Sequence, residues 1–259
     1  MNIAVYTKKE KGFFESFRAD LENKGHQVFP INLTNLTVDD NIRKYDLVIL
    51  KSKKLFLVYA GYLAESIGIA VIPRPDITHK VSNRIQFPFI AREAGIRTPN
   101  FYMGFPETIR KTLSKTGFPL MLKRIVGTGS RGVELVKSID EIANSRRRFL
   151  YLEQYIFGQH LLCYFIEDDI MVFEKAPFEN EHFQVKFCAV DRDIADLVRR
   201  WQYATGLQFG HLDLIREKGT GELVLVDPGV FPQFTHWPGA PERIANICLR
   251  YQGLFNKQP

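Results

Sequence analysis

The chain has few of the residues that mark secreted, redox or metal-thiolate proteins. Its 259 residues include 3 cysteines. Cys163, Cys188 and Cys248 stand far apart among apolar neighbours, without the paired spacing of a zinc or redox motif, and read as reduced core residues. Long hydrophobic runs are missing as well. No stretch approaches the roughly 18 uncharged apolar residues of a membrane span. Met1 to Val5 begins a strand rather than a secretory signal, so a cytoplasmic protein without a membrane partner is expected. There are no internal repeats and no low-complexity segments.

What is present is a globular composition, 45% hydrophobic and 25% charged, on a chain long enough for one large domain or two to three small ones. The net charge of +6 points to an anionic partner. No nucleic-acid motif accompanies it. The densest basic run, Arg146-Arg147-Arg148, follows the helical pattern "SIDEIANS" and reads as a solvated face. Nucleic acid is therefore not expected. An acidic or phosphorylated metabolite is, and a homo-oligomer is allowed.

The first segment alternates apolar strands with helical spacing. "NIAVY" and "DLVIL" enclose "FFESFRADLENKG", and "FLVYAGYLAESIG" precedes "IAVIPRP". This predicts an α/β domain with a parallel sheet over residues 1–75. "DITHKVSNRIQFPFIAREAG" predicts one helix from about Asp76 to Gly95, and "GIRTPNFYMG" leads into a strand. From there "PLMLKRI", "GVELVK", "FLYLEQYI", "HLLCYFIE" and "DIMVFEKAP" read as antiparallel strands. "DRDIADLVRRWQYATGL" reads as an amphipathic helix with Ile194, Leu197, Val198, Trp201 and Ala204 on one side. "HLDLI" and "ELVLVD" form a strand pair, and a closing helix carries Ile244, Ile247 and Leu249. Trp237 and His236 follow the second strand directly, as packing residues or as a wall of the substrate side.

Chemistry gathers in two places. "LKRIVGTGSRGVELV" puts Lys123 on a strand before a loop with Gly127, Gly129 and Gly132. The backbone N–H groups of such a loop can approach phosphates, although it is neither a Walker A motif nor a dinucleotide fingerprint. In "LVLVDPGVFPQF" four aliphatic residues run into Asp227, followed by Pro228 and Gly229. Alone this is turn chemistry. With Asp213 at the inner end of the neighbouring strand, however, two carboxylates converge, and such a pair is relieved by a hard cation such as Mg²⁺.

In their order these features resemble the ATP-grasp superfamily, above all the RimK-type carboxylate-amine ligases, over about residues 76–235. "DITHKVSNRIQFPFIAREAGIRTPNF" is similar to the family's lysine-bearing helix and "FPLMLKRIVGTGSRGVELV" to its strand and glycine flap. "LEQYIFG" is similar to its adenine-reading hinge, and "GHLDLI" with "LVLVDPG" to its metal-bearing strands. The resemblance implies an α/β ATP-grasp fold: an N-terminal α/β domain (1–75), a small α+β subdomain with the flap (76–151) and a C-terminal α+β subdomain with the metal site (152–259).

It further implies ATP and Mg²⁺ as cofactors, with small-molecule or peptide carboxylates and amines as substrates. Lys80, Lys123 and the loop with Gly127, Gly129, Ser130 and Gly132 would contact phosphates. Glu153, Gln154, Tyr155 and Ile156 would hold adenine, His160 would lie at the ribose, and Asp213 and Asp227 would bind Mg²⁺. Lys175, Lys186 and His211 are candidates to meet an anionic substrate. Three departures stand out: Gly229 replaces the usual asparagine, Leu162 replaces an arginine, and "KAPFENEHFQVKF" is short for a substrate loop. The end "VDPGVFPQF" also resembles the inositol-phosphate kinases of the superfamily, so a small-molecule kinase and a weakened ATP-binding module stay open beside ligation.

Overall fold

The computed structural model describes residues 1–8, 10–113, 117–125, 133–143, 149–175 and 185–255. The chain opens with β1 (Asn2–Tyr6), α1 (Phe13–Asn23), β2 (Gln27–Ile31), β3 (Leu47–Leu50), α2 (Leu55–Ser66) and β4 (Ala70–Ile72). The strands pair in parallel in the order β2-β1-β3-β4. The apolar runs produce this sheet because strands covered by crossover helices are buried on both faces. β2 escapes the sequence pattern because it contains Pro30, which cannot donate to a ladder; at the sheet edge that missing N–H is tolerated.

The single helix expected from Asp76 to Gly95 is two, α3 (Pro75–Val81) and α4 (Phe87–Glu93). Asn83 Oδ1 accepts a 2.9 Å hydrogen bond from the Ile85 N–H between them, and Pro88 in the first turn of α4 favours a fresh start over continuation. The break frees Arg84 to turn inward.

The small subdomain follows: β5 (Phe101–Gly104), α5 (Pro106–Leu113), β6 (Leu120–Lys123), β7 (Glu134–Val136), α6 (Ile139–Ala143) and β8 (Leu150–Gln154). Its antiparallel sheet has the order β5-β8-β6-β7 and packs Leu120, Leu122, Leu150 and Leu152 against Ile109, Leu113 and Ile142 of the two helices. A boundary between 151 and 152 would cut β8; the sheets divide after Gln154 instead.

The large sheet is built from β9 (Gly158–Ile166), β10 (Asp169–Lys175), β11 (Val185–Cys188), β12 (Phe209–Glu217) and β13 (Leu223–Gly229), with α7 (Arg192–Thr205) before β12 and α8 (Ala240–Phe255) at the end. Its order is β11-β10-β9-β12-β13, antiparallel throughout. One face packs Leu161, Cys163, Phe165, Leu212 and Leu214 on Ile194, Leu197, Val198 and Trp201 of α7. Ala204, expected on that side of α7, is exposed, and Thr205 is buried in its place.

One end of the other face joins Tyr164, Ile166 and Phe209 to Ile3, Val5, Phe14 and Phe17 of the first domain and to Ile244 and Ile247 of α8. Trp237 belongs to this core, edge-on to Phe234 and under Arg243, while the His236 ring lies 5.3 Å from the Phe173 ring. The opposite end of the same face is polar. Cys163 and Cys248 are buried and Cys188 is half-buried; burial pushes the Cys163 thiol up to about 12. Among the described residues no helix is long and apolar enough to cross a membrane.

Candidate functional site

Side chains in a strand alternate between faces, and directly opposed residues in an antiparallel pair share a face. The registers His211↔Gly229 and Asp213↔Asp227, with Tyr164↔His211, Leu162↔Asp213 and His160↔Ile215, therefore put His160, Leu162, His211, Asp213 and Asp227 on one side of the large sheet. A bulge after Asp213 shifts the β12–β13 register just beyond the two aspartates, a place where bulges commonly re-aim side chains.

Each carboxylate here has its own cation. Lys175 Nζ lies 2.8 Å from Asp213 Oδ1, an ion pair in distance although among the described residues this oxygen has no well-aligned hydrogen bond. Burial alone would raise the Asp213 carboxyl, but Lys175 and His211 outweigh it and hold it below the usual carboxylate range. Arg84 Nη2 reaches Asp227 Oδ2 at 3.3 Å. The same buried guanidinium donates to the Arg124 carbonyl at 2.7 Å. The Arg84 N–H donates to the Ile125 carbonyl at 3.0 Å, and its carbonyl accepts from the Tyr151 hydroxyl at 2.8 Å. Arg84 thus ties the helix break to the strand entering the glycine loop and to the β13 carboxylate. Lys123 pairs with Glu153 across β6 and β8, and its Nζ also donates to the Val226 carbonyl at 3.4 Å.

Of the expected residues, Lys123, His160, Lys175, His211, Asp213 and Asp227 are brought together. The buried Glu153 carboxylate is committed to half-buried Lys123, so the structure makes it the anchor of that lysine. Beside it the Gln154 N–H donates to the Asn100 carbonyl at 2.8 Å, Tyr155 is half-buried, and Ile156 packs on Ile215 and Val224. Two candidates are not brought in. Lys80 is exposed on α3, 3.8 Å from Asp76. Lys186 opposes Glu174, which points to the other face from Lys175, because adjacent strand residues alternate. Gly127, Gly129, Ser130 and Gly132 lie outside the described residues, as does most of "KAPFENEHFQVKF".

Gly229 also reads differently. A Cβ built on it would lie 2.0 Å from His211 Cε1, so the imidazole occupies the space that a side chain at 229 would need. Among the described residues His211 Nδ1 is buried without a hydrogen-bond partner, and burial lowers the pKa of the ring. His160 is lowered too, first by burial and then by Lys175. Leu162, where an arginine was expected, packs against the apolar end of this face.

Sequence reasoning missed Arg84, Lys51 and Lys53. Lys53 is lowered by burial, while the charges of Asp227 and Asp213 act in the opposite direction. A run of lysines after a strand gives no sequence signal of burial, and Arg84 was hidden inside the expected helix.

Among the described residues no three His, Cys, Asp or Glu side chains group closely enough to hold a metal alone. The donor set still fits Mg²⁺. That ion takes one or two carboxylates and completes its shell with water and phosphate oxygens, and Asp213 and Asp227 supply two hard carboxylates facing one another.

No family model matches the sequence. A formate-dependent phosphoribosylglycinamide formyltransferase of Bacteroides thetaiotaomicron is 31% identical over 86 residues, 32% of this chain, and the chain spans only 22% of that relative's length. A RimK-domain ATP-grasp protein from Sphaerobacter thermophilus superposes with a TM-score of 0.79 at 15% identity, over 96% of this chain and 100% of its own. D-alanine–D-alanine ligase from Bacillus anthracis, solved with ATP, gives 0.77 at 16% identity over 100% and 99% of the two chains. Three sheets in this succession, a glycine-rich segment between β6 and β7, facing aspartates on the last two strands and likeness over almost the whole length together establish that the chain has the ATP-grasp fold.

Proposed function

We propose that the protein is an ATP- and Mg²⁺-dependent carboxylate-amine ligase that works through an acyl phosphate on a small molecule or peptide. The observation that supports this best is Asp213 facing Asp227 in register, ringed by Lys175, Arg84 and Lys123, within an ATP-grasp fold. A substrate carboxylate attacks the γ-phosphate and ADP leaves. An amine then attacks the acyl carbon and inorganic phosphate leaves. Bound at the two aspartates, Mg²⁺ would offset the charge on the phosphate oxygens during transfer.

The chain's own groups do the positioning. Lys123, Lys175 and Arg84 now hold carboxylates and are placed to exchange them for phosphate oxygens. The hinge backbone at 154–156 meets the adenine, and His160 and His211 wall the reacting end. No side-chain nucleophile is required, because proximity and preorganised charge account for acceleration of this type. The test is ADP release with panels of carboxylates and amines: the proposal expects release that needs both partners. Phosphate transfer to a hydroxyl compound with no amine requirement contradicts it and supports the kinase reading.

A further inference from the structure

The first domain carries a group of polar residues at the carboxyl ends of β1 and β3 that the ligase chemistry above does not use. In the order β2-β1-β3-β4 the chain leaves β1 toward one side and returns for β3 on the other. The gap at the carboxyl ends of β1 and β3 is thus a topological switch point, where open α/β sheets bind ligands. Tyr6 and Leu50 pair in register at the end of those strands, so Thr7 and Lys51 come next on either side. Thr7, Lys51 and Ser52 are only 2%, 7% and 8% exposed. Ser52 Oγ accepts from the Lys54 N–H at 3.3 Å, whereas a buried lysine charge at a strand end needs a reason, since burying a charge without a counter-charge is unfavourable.

Lys51 is the clearest case. Its Nζ lies 5.0 Å from the Phe13 ring centroid and 5.1 Å from that of Phe231. Among the described residues no carboxylate offsets its charge: burial alone lowers its pKa, to about 8. Two residues on, half-buried Lys53 feels Asp227, Arg84 and Asp213, which places this group of residues next to the phosphoryl-transfer site. Arg84 and Lys175 are matched by Asp227 and Asp213, so among the described residues Lys51 and Lys53 are the cations of this region left without a carboxylate of their own. Lysine is a compact point charge suited to such an anion.

We propose that Thr7, Lys51, Ser52 and Lys53 together form a binding subsite for a multiply charged anionic group of the substrate, a phosphate or a polycarboxylate. This rests on the ligase reading for its substrate but not for its test. The subsite holds the end of the substrate remote from the reacting carboxylate, and it limits the substrate class to molecules that carry such a group.

The experiment is calorimetric titration of inorganic phosphate, and separately of tricarballylate, into the protein saturated with Mg²⁺ and a non-hydrolysable ATP analogue, and again into the nucleotide-free protein. Parent, Lys51→Met, Lys53→Gln and the outward-facing control Lys186→Gln are compared, with a melting curve for each. Expected is binding of one of the two anions to the parent and to the control. The Lys51 and Lys53 variants should each weaken it on the order of tenfold to a hundredfold, the worth of one hydrogen bond to a charged group. The anion that binds identifies the group.

Lys51→Met should melt no lower than the parent, because it removes an unpaired buried charge. Failure of both anions to bind, or variants that bind like the parent, overturns the subsite. So does a Lys51→Met protein that melts lower with anion affinity unchanged, which would make Lys51 mere cement between Phe13 and Phe231. Failure of the ATP analogue to bind while anion binding follows Lys51 and Lys53 contradicts the nucleotide reading and upholds the subsite.

Discussion

At the scale of single residues, Gly229 and His211 form one unit. The imidazole lies where a side chain at 229 would go, so asparagine there does not restore a missing group; it collides with one that is present. Gly229→Asn is expected to destabilise the fold by about 1–3 kcal/mol, the usual range for overpacking. Denaturant unfolding measures this, and Gly229→Asn combined with His211→Ala should lose less than the sum of the single changes. A single variant as stable as the parent would contradict the account. Lys51 gives the second residue-scale prediction. Its folded value of about 8 lies below the ordinary 10.5, so between those values the unfolded chain binds the proton more tightly and stability rises with pH. The cost of the buried charge is fully present below about 8 and fades above it. Lys51→Met should therefore gain stability over the parent at pH 7 and lose that advantage by pH 10, as melting at the two pH values would show. Strand-borne residues such as Asp213, Asp227 and Lys123 were legible in the sequence because a charge ending an apolar run is conspicuous there. Arg84 and Lys51 were not, because burial of a long basic side chain depends on what the fold brings over it.

At the scale of elements, the Lys123–Glu153 pair shows how the small sheet is set. The two residues sit on neighbouring strands β6 and β8, Glu153 buried and Lys123 half-buried, and among the described residues Glu153 Oε1 has no partner of its own. Lys123→Met would leave a lone buried carboxylate and is expected to cost about 3–5 kcal/mol, whereas Lys123→Met with Glu153→Leu should regain much of that. Equal losses in the single and double variants, read from denaturant midpoints, would show that the pair matters for something other than charge balance. Most strands were readable from alternation, and α7 from its apolar stripe. The exceptions have local causes. β2 contains a proline that only an edge strand accepts. The helix expected over residues 76–95 divides because Asn83 caps the Ile85 N–H and Pro88 begins a new first turn. The division matters, since the break is what delivers Arg84 to Asp227.

At the scale of the whole molecule, the first domain, α8 and one end of the large sheet share a single core, and Lys53, just past the end of β3, feels the charges of the paired aspartates. The succession of sheets was legible because crossover helices and antiparallel turns leave different patterns. Which end of the large sheet is dry was not legible, since that depends on where α8 folds back. The central claim is that the paired aspartates serve a nucleotide-bound metal, and calorimetric titration of ATP tests it most directly, with and without Mg²⁺, in the parent and in Asp227→Asn. The account predicts tight binding to the parent that depends on Mg²⁺, and loss of that dependence in the variant, which keeps an acceptor for Arg84 but lacks the charge. No ATP binding under any condition, or an unchanged Mg²⁺ dependence in Asp227→Asn, would contradict it.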